Sequence, residues 1–208
     1  MKLKVVAVVL AAMMMCAGCA DTGSSEKNAP TSAKQSAVST VSMPDPVPVP
    51  EGGWTDETLK DVIYINGKNL DLPCTVDDLG DGFEIEPDKE SDEKLKEKGS
   101  ATYLLDYCGY CVGIVGMKEQ DKIYLIDFNT FDKSIEDFMK DYPPIPFSIN
   151  GFTLGTPYSE VQEIMGEEFS DKGDRGYISF QPEDYWITVS DDDGRVSKIK
   201  ILLRNKDK

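Results

Sequence analysis

From Trp54 onward, apolar side chains fall at strand and helix spacings punctuated by Gly, Asn, Asp and Pro. Before it they are confined to the first fifteen residues, Met43 and a few valines. Tyr103–Tyr107, Tyr110–Val115 and Lys122–Phe128 have the β-branched, aromatic, period-two pattern of half-buried strands, and Tyr177–Gln181, Tyr185–Ser190 and Val196–Leu203 repeat it. Leu59–Ile65 reads as a further strand running into an Asn66-Gly67 turn, and Asp193-Gly194 joins the last two strands as a hairpin. Three stretches carry helix signals instead. Thr75 and Asp78 form a Thr-x-x-Asp capping box ahead of Gly80. Asp132–Asp141 places Ile135, Phe138 and Met139 on one side before Pro143-Pro144 ends it. Thr156 is the N-cap and Pro157 the first residue of a helix with a Val161, Ile164, Met165 stripe and a stop at Gly166. Asp88–Lys98, almost wholly charged, reads as a solvated loop or surface helix.

One motif occurs twice. Ile149-Asn150-Gly151-Phe152-Thr153-Leu154-Gly155-Thr156-Pro157-Tyr158-Ser159 has an abbreviated copy 84 positions earlier, Ile65-Asn66-Gly67-Lys68-Asn69-Leu70-Asp71-Leu72-Pro73-Cys74-Thr75. The chain is therefore expected to be α+β, a tandem repeat of two small domains, each a short helix packed on an antiparallel sheet of three to four strands. Their bounds are 54–130 and 146–208, with a linking helix over 131–145.

Residues 1–18 read as a signal peptide: Lys2 and Lys4, an apolar run from Val5 to Met15, then small residues. Cys16-Ala17-Gly18-Cys19 resembles a bacterial lipobox. That resemblance implies cleavage before Cys19, lipid attachment there (diacylglyceryl and acyl chains such as palmitate), and an extracytoplasmic protein anchored to the outer surface of the cell membrane. Residues 19–53 are Ser-, Thr-, Ala- and Pro-rich, and are expected to be a disordered tether whose last part, Pro44–Pro50, is a polyproline spacer.

Charge narrows the partners. With 38 acidic against 22 basic residues the chain carries −16, which disfavours nucleic acid. It has no histidine, so His-based hydrolase triads, His-ligated zinc and histidine proton relays are excluded. Cys108-Gly109-Tyr110-Cys111 is a Cys-x-x-Cys, the pattern of thiol exchange, but it lies between strands, where thioredoxin-like enzymes open a helix. A disulfide between Cys108 and Cys111 is the plainer reading, and Cys74 is a third mature thiol beside Cys19. The acidic runs Asp77–Gly82 and Asp191–Gly194 lack the alternate-residue ligand spacing of a calcium loop. Neither a cofactor nor a metal is expected.

The motif Ile-Asn-Gly-x-x-Leu-Gly-Thr-Pro-Tyr-Ser-Glu-Val-x-x-Ile-Met-Gly over 149–166, followed by three strands, resembles the fold shared by beta-lactamase inhibitory protein and the small lipoprotein of the outer-membrane assembly machine. It is similar too to tandem lipoproteins of Gram-positive anaerobes. The resemblance implies helix-on-sheet modules that bind other proteins.

Strand alternation then marks a surface. If Ile178, Phe180, Tyr185, Ile187, Val189, Ile199 and Ile201 face the helix, Tyr177, Ser179, Trp186, Thr188, Ser190, Lys198 and Lys200 face away. Tyr177, Trp186, Thr188, Lys198 and Lys200 are the candidate partner-binding face. The expected function is a surface-anchored, non-catalytic binding or protein-interaction module for a protein or cell-wall glycan. The competing readings are an extracytoplasmic thiol-disulfide oxidoreductase using Cys108 and Cys111, and a structural envelope protein.

Overall fold

Each copy of the Ile-Asn-Gly motif reverses the chain for the same local reason. Asn and Gly in succession tolerate positive φ, here 48° and 72° at Asn66-Gly67 and 43° and 86° at Asn150-Gly151. In the computed structural model, which describes residues 44–118, 121–131, 133–166, 170–171 and 177–204, the first turn folds β1 (Ile63–Ile65) onto β2 (Lys68–Asn69). The second turn follows β7 (Phe147–Ile149), which pairs antiparallel with β1. Tyr64 lies opposite Ser148, its own equivalent in the second copy, so a local twofold axis relates the two motifs. Cys19 and the segment before residue 44 lie outside the described residues, all of which belong to one compact unit, Ser36–Lys208.

Five helices accompany them among the described residues: α1 (Asp56–Lys60), α2 (Val76–Leu79), α3 (Lys89–Lys98), α4 (Ile135–Asp141) and α5 (Tyr158–Met165). The sequence pattern reads a strand from Leu59, yet α1 occupies its first part. Thr55 and Thr58 form a reciprocal capping box, each hydroxyl accepting the other's backbone N–H at 3.2 and 2.9 Å, and this local device wins over the β-branched run. The charged stretch is the helix α3, capped by Asp88, whose carboxylate accepts the N–H groups of Glu90 and Ser91. In α4, Ile135 and Phe138 are buried as expected, but Met139 is 55% exposed and runs over the backbone of Gly155. The hydroxyl of Thr156 accepts the Thr153 N–H and braces the turn before α5 without capping the helix itself.

The remaining strands form one antiparallel sheet. They are β3 (Phe83–Ile85), β4 (Ser100–Tyr107), β5 (Tyr110–Lys118), β6 (Lys122–Asn129), β8 (Ser170–Asp171), β9 (Tyr177–Phe180), β10 (Tyr185–Asp192) and β11 (Arg195–Leu203). Their order is β3-β4-β5-β6-β11-β10-β9-β8. The expectation of a separate three- to four-stranded sheet for each copy is corrected here. The last strands of the two copies pair with each other, Leu125 opposite Leu202 and Ile126 opposite Ile201, which gives eight strands in one sheet. The reason is elementary: each isolated four-stranded half would leave a long edge of unpaired N–H and C=O groups, and each edge satisfies the other.

Side chains cross between the copies as well. Trp54, 5% exposed, donates its indole N–H to the Met165 carbonyl at 2.9 Å. Asp56 at the start of α1 accepts the backbone N–H groups of Glu183, Asp184 and Tyr185. The Tyr185 hydroxyl accepts the Leu72 N–H at 2.9 Å and donates to Asp71 at 3.1 Å, and burial pushes its pKa up so that it stays a phenol. One continuous core from Trp54 to Ile201 results.

The proline segment, expected as a spacer free of the fold, is held against it. The Asn150 side chain clamps the backbone of Val47, accepting its N–H at 2.8 Å and donating to its carbonyl at 2.9 Å, and reaches the Ile164 carbonyl at 3.3 Å. Pro46 packs over Gly151 and Val49 over Gly166. In the first copy Asn66 points its amide inward instead, donating to the carbonyls of Leu79 and Asp81. The feature shared by the two motifs is thus an asparagine that takes left-handed backbone and ties its turn to the carbonyl end of the next helix.

Candidate binding face

Pairing of β10 with β11 and β9 fixes which side chains share a face. Tyr185, Ile187 and Val189 are fully buried beneath the helices, while Trp186, Thr188 and Ser190 between them keep partial access to solvent. Across the sheet, Trp186 lies beside Leu202 and Leu202 beside Leu125. In the neighbouring row Thr188, Lys200 and Asp127 follow one another, then Ile114 and Leu104. Tyr177 lies opposite Ser190, and Ser190 opposite Lys198. Tyr177, Trp186, Thr188, Lys198 and Lys200 therefore occupy one outer face. Ser179, which alternation places there too, is 5% exposed and closed off.

Lys198, Lys200 and Trp186 are engaged within the fold. Lys198 reaches the Asp127 carboxylate at 3.1 Å, and Asp127 is buried, so the lysine neutralises a charge that the seam between β6 and β11 would otherwise strand. Trp186 carries cations: the Lys200 ammonium is 5.8 Å and the Arg204 guanidinium 4.7 Å from its ring centre. Arg204 donates a 2.7 Å hydrogen bond to the side-chain amide oxygen of Gln181. Lys118 sits over Tyr124 in the same way at 5.0 Å.

Leu125, Ile114 and Arg204 were not foreseen as part of this face. The first two belong to the first copy and join it only through the seam, which no local pattern announces. Arg204 lies just past the last strand, where alternation ends.

The three cysteines among the described residues, Cys74, Cys108 and Cys111, are separate thiols, without the disulfide expected between Cys108 and Cys111. Cys108 and Gly109, with φ of 53° and 82°, are the two central residues of the β4–β5 hairpin, Tyr107 opposite Tyr110. Among the described residues no helix begins at either cysteine, since Cys111 lies within β5 and Cys108 in the turn before it. Burial pushes the Cys111 thiol up, and the Cys74 thiol up to about 12.

Of the acidic runs, Asp193-Gly194 is the β10–β11 turn. Asp78 caps α2: its carboxylate accepts the Thr75 N–H at 2.8 Å, which holds its pKa below the usual carboxylate value. Asp77 and Asp78 border a shallow recess of about 280 Å³ completed by Lys68, Asn69, Leu70 and Asp71. No helix among the described residues is long and apolar enough to cross a membrane. No family model, curated protein or solved structure matches the chain.

Proposed function

We propose that this chain is a non-catalytic binding module, built from two copies of one unit, tethered by lipid on Cys19 to the outer surface of the cell membrane. The observation that carries the binding reading is the outer sheet face. Trp186, Leu202, Leu125, Ile114 and Leu104 keep solvent access on one continuous surface, with Leu104 40% exposed, although the same strands bury every alternate side chain. Leaving part of an indole in water forgoes a share of the roughly 1.5 to 3 kcal/mol that full burial of a large apolar side chain brings, and partner recognition accounts for that loss. A thiol oxidoreductase draws no support from the hairpin setting of Cys108 or from the upward shift at Cys111.

The anchor rests on the lipobox resemblance. Cys19→Ala is expected to release the protein from the membrane fraction or leave it unprocessed, and normal maturation with unchanged membrane association would count against lipidation. For the face, a photo-crosslinking amino acid at Trp186 on intact cells should capture one defined partner, while the same probe at Glu93 on α3 should not. Equal, diffuse capture from both positions would remove the binding reading.

A further inference from the structure

We propose that the outer face of β10 and β11 receives an acidic polypeptide segment in extended conformation, its carboxylates paired with Lys200 and Arg204 and its apolar side chains laid on Leu202 and Leu125. This rests on the binding reading above and names the partner's chemistry.

The first argument is charge. In a chain with 16 more acidic than basic residues, the stretch from Arg195 to Arg204 holds four cations and no acid. Lys200 and Arg204 converge on one indole, and among the described residues neither has a carboxylate within ion-pair distance. The nearest acid across the strand, Asp127, turns its carboxylate to Lys198. Two like charges gathered on a half-buried ring repel each other, and an incoming anion relieves that repulsion.

The second argument is spacing. Lys200 and Leu202 are alternate residues of β11, about 6.6 to 6.8 Å apart along the strand, and Arg204 follows just beyond its end with its guanidinium over the Trp186 ring. An extended peptide repeats its own same-side residues at that interval, so an acidic, apolar, acidic sequence on one side meets them in register. Arg204, its guanidinium 4.7 Å from the Trp186 ring centre and one terminal nitrogen tied to Gln181, is held in place with N–H groups left to donate to a carboxylate.

The same geometry decides against the other anionic macromolecules. A sugar ring would need the indole face that Arg204 already covers. A membrane surface is extended and meets the whole −16 charge, whereas a peptide segment lies within the Debye length of about 8 Å of the local cations.

The test uses the full chain and a dye-labelled peptide repeating Glu-Ser-Val-Ser, in which glutamate and valine alternate along one side of the extended chain, followed by fluorescence anisotropy. Binding is expected, weakening with added salt, and the Lys200→Gln, Arg204→Gln double variant should bind on the order of a hundredfold more weakly, about tenfold for each charge-assisted contact. The charge-preserving Lys200→Arg variant should bind as the parent does, which separates loss of charge from a folding defect. No binding, equal binding of the lysine–valine counterpart, or binding indifferent to the double substitution overturns the proposal. So does equal or tighter binding of a sulfated polysaccharide or of anionic phosphatidylglycerol vesicles. If crosslinking from Trp186 captures a partner whose contacting segment lacks acidic residues, the acidic-peptide proposal fails and the binding module stands; if nothing defined is captured there, both fail.

Discussion

Replacing Asn150 should detach the proline segment from the body of the protein. Its side chain is 3% exposed and makes three hydrogen bonds, two to Val47 and one to the Ile164 carbonyl. Each is worth a net ~0.5–1.5 kcal/mol, but Val47 is 47% exposed and water can replace the amide there, so Asn150→Gly is expected to cost about 1.5 to 3 kcal/mol. Glycine keeps the φ of 43° without strain. Asn150→Ala should cost about 1 kcal/mol more, because its Cβ disfavours left-handed backbone. Asn150→Asp retains an acceptor for the Val47 N–H but sets a carboxylate against two carbonyls, and should be worse than glycine. Asn66→Gly removes bonds to Leu79 and Asp81 only and should leave the proline segment docked. Thermal or urea unfolding gives the ranking, and hydrogen exchange at the Val47 amide reports docking directly. If Asn150→Gly stays within about 0.5 kcal/mol of the parent with the Val47 amide still protected, the clamp contributes nothing and the reasoning is refuted.

The two tryptophans should part company: Trp54→Ala empties a buried site and leaves the Met165 carbonyl without its donor, for about 3–5 kcal/mol, whereas Trp186→Ala should cost clearly less, as compared by denaturant midpoints. Equal losses would place Trp186 in the core and remove the face. Alkaline pH should act through Cys74, whose thiol is pushed up to about 12 in the folded chain from an ordinary value near 9. The unfolded chain loses this proton first as pH rises, so the contribution is complete below about pH 9 and falls by up to about 1.4 kcal/mol per unit toward pH 12. Between pH 8 and 10.5, values set by that window, Cys74→Ala should therefore lose less stability than the parent; identical slopes would contradict it.

Much of this arrangement is legible from local pattern. Period two located β4, β5, β6, β9, β10 and β11 and assigned the facing of Trp186 against Tyr185 and Ile187, because a strand's two faces are fixed by parity alone. The capping box at Thr75 and the glycine stops at Gly80 and Gly166 marked helix ends by backbone chemistry that acts within four residues. What escaped is non-local. Thr55 and Thr58 are a weaker cap signal than Thr-x-x-Glu, so α1 was read into the strand that follows. Asn150 announces a turn, but nothing in its neighbourhood says that its amide will reach back to Val47, 103 positions earlier.

The seam between β6 and β11 is the largest of these non-local features, and its charges explain why the two copies pair with each other. Asp127 lies opposite Lys200 and is ion-paired to Lys198 at the centre of the five paired positions. Two β6 strands centred on the same residue would set one Asp127 carboxylate against another, and two β11 strands would set Lys200 against Lys200. Like charges directly opposite destabilise a strand pair, and Asp127 is a buried position. Divergence of the copies at these positions thus favours the joined sheet over association of like halves. It also brings Leu125 beside Leu202, and Ile114 into the row of Asp127 and Lys200, so the outer face exists only across the seam. Opposite charge at one strand pair thus turns two sheet edges into a single surface.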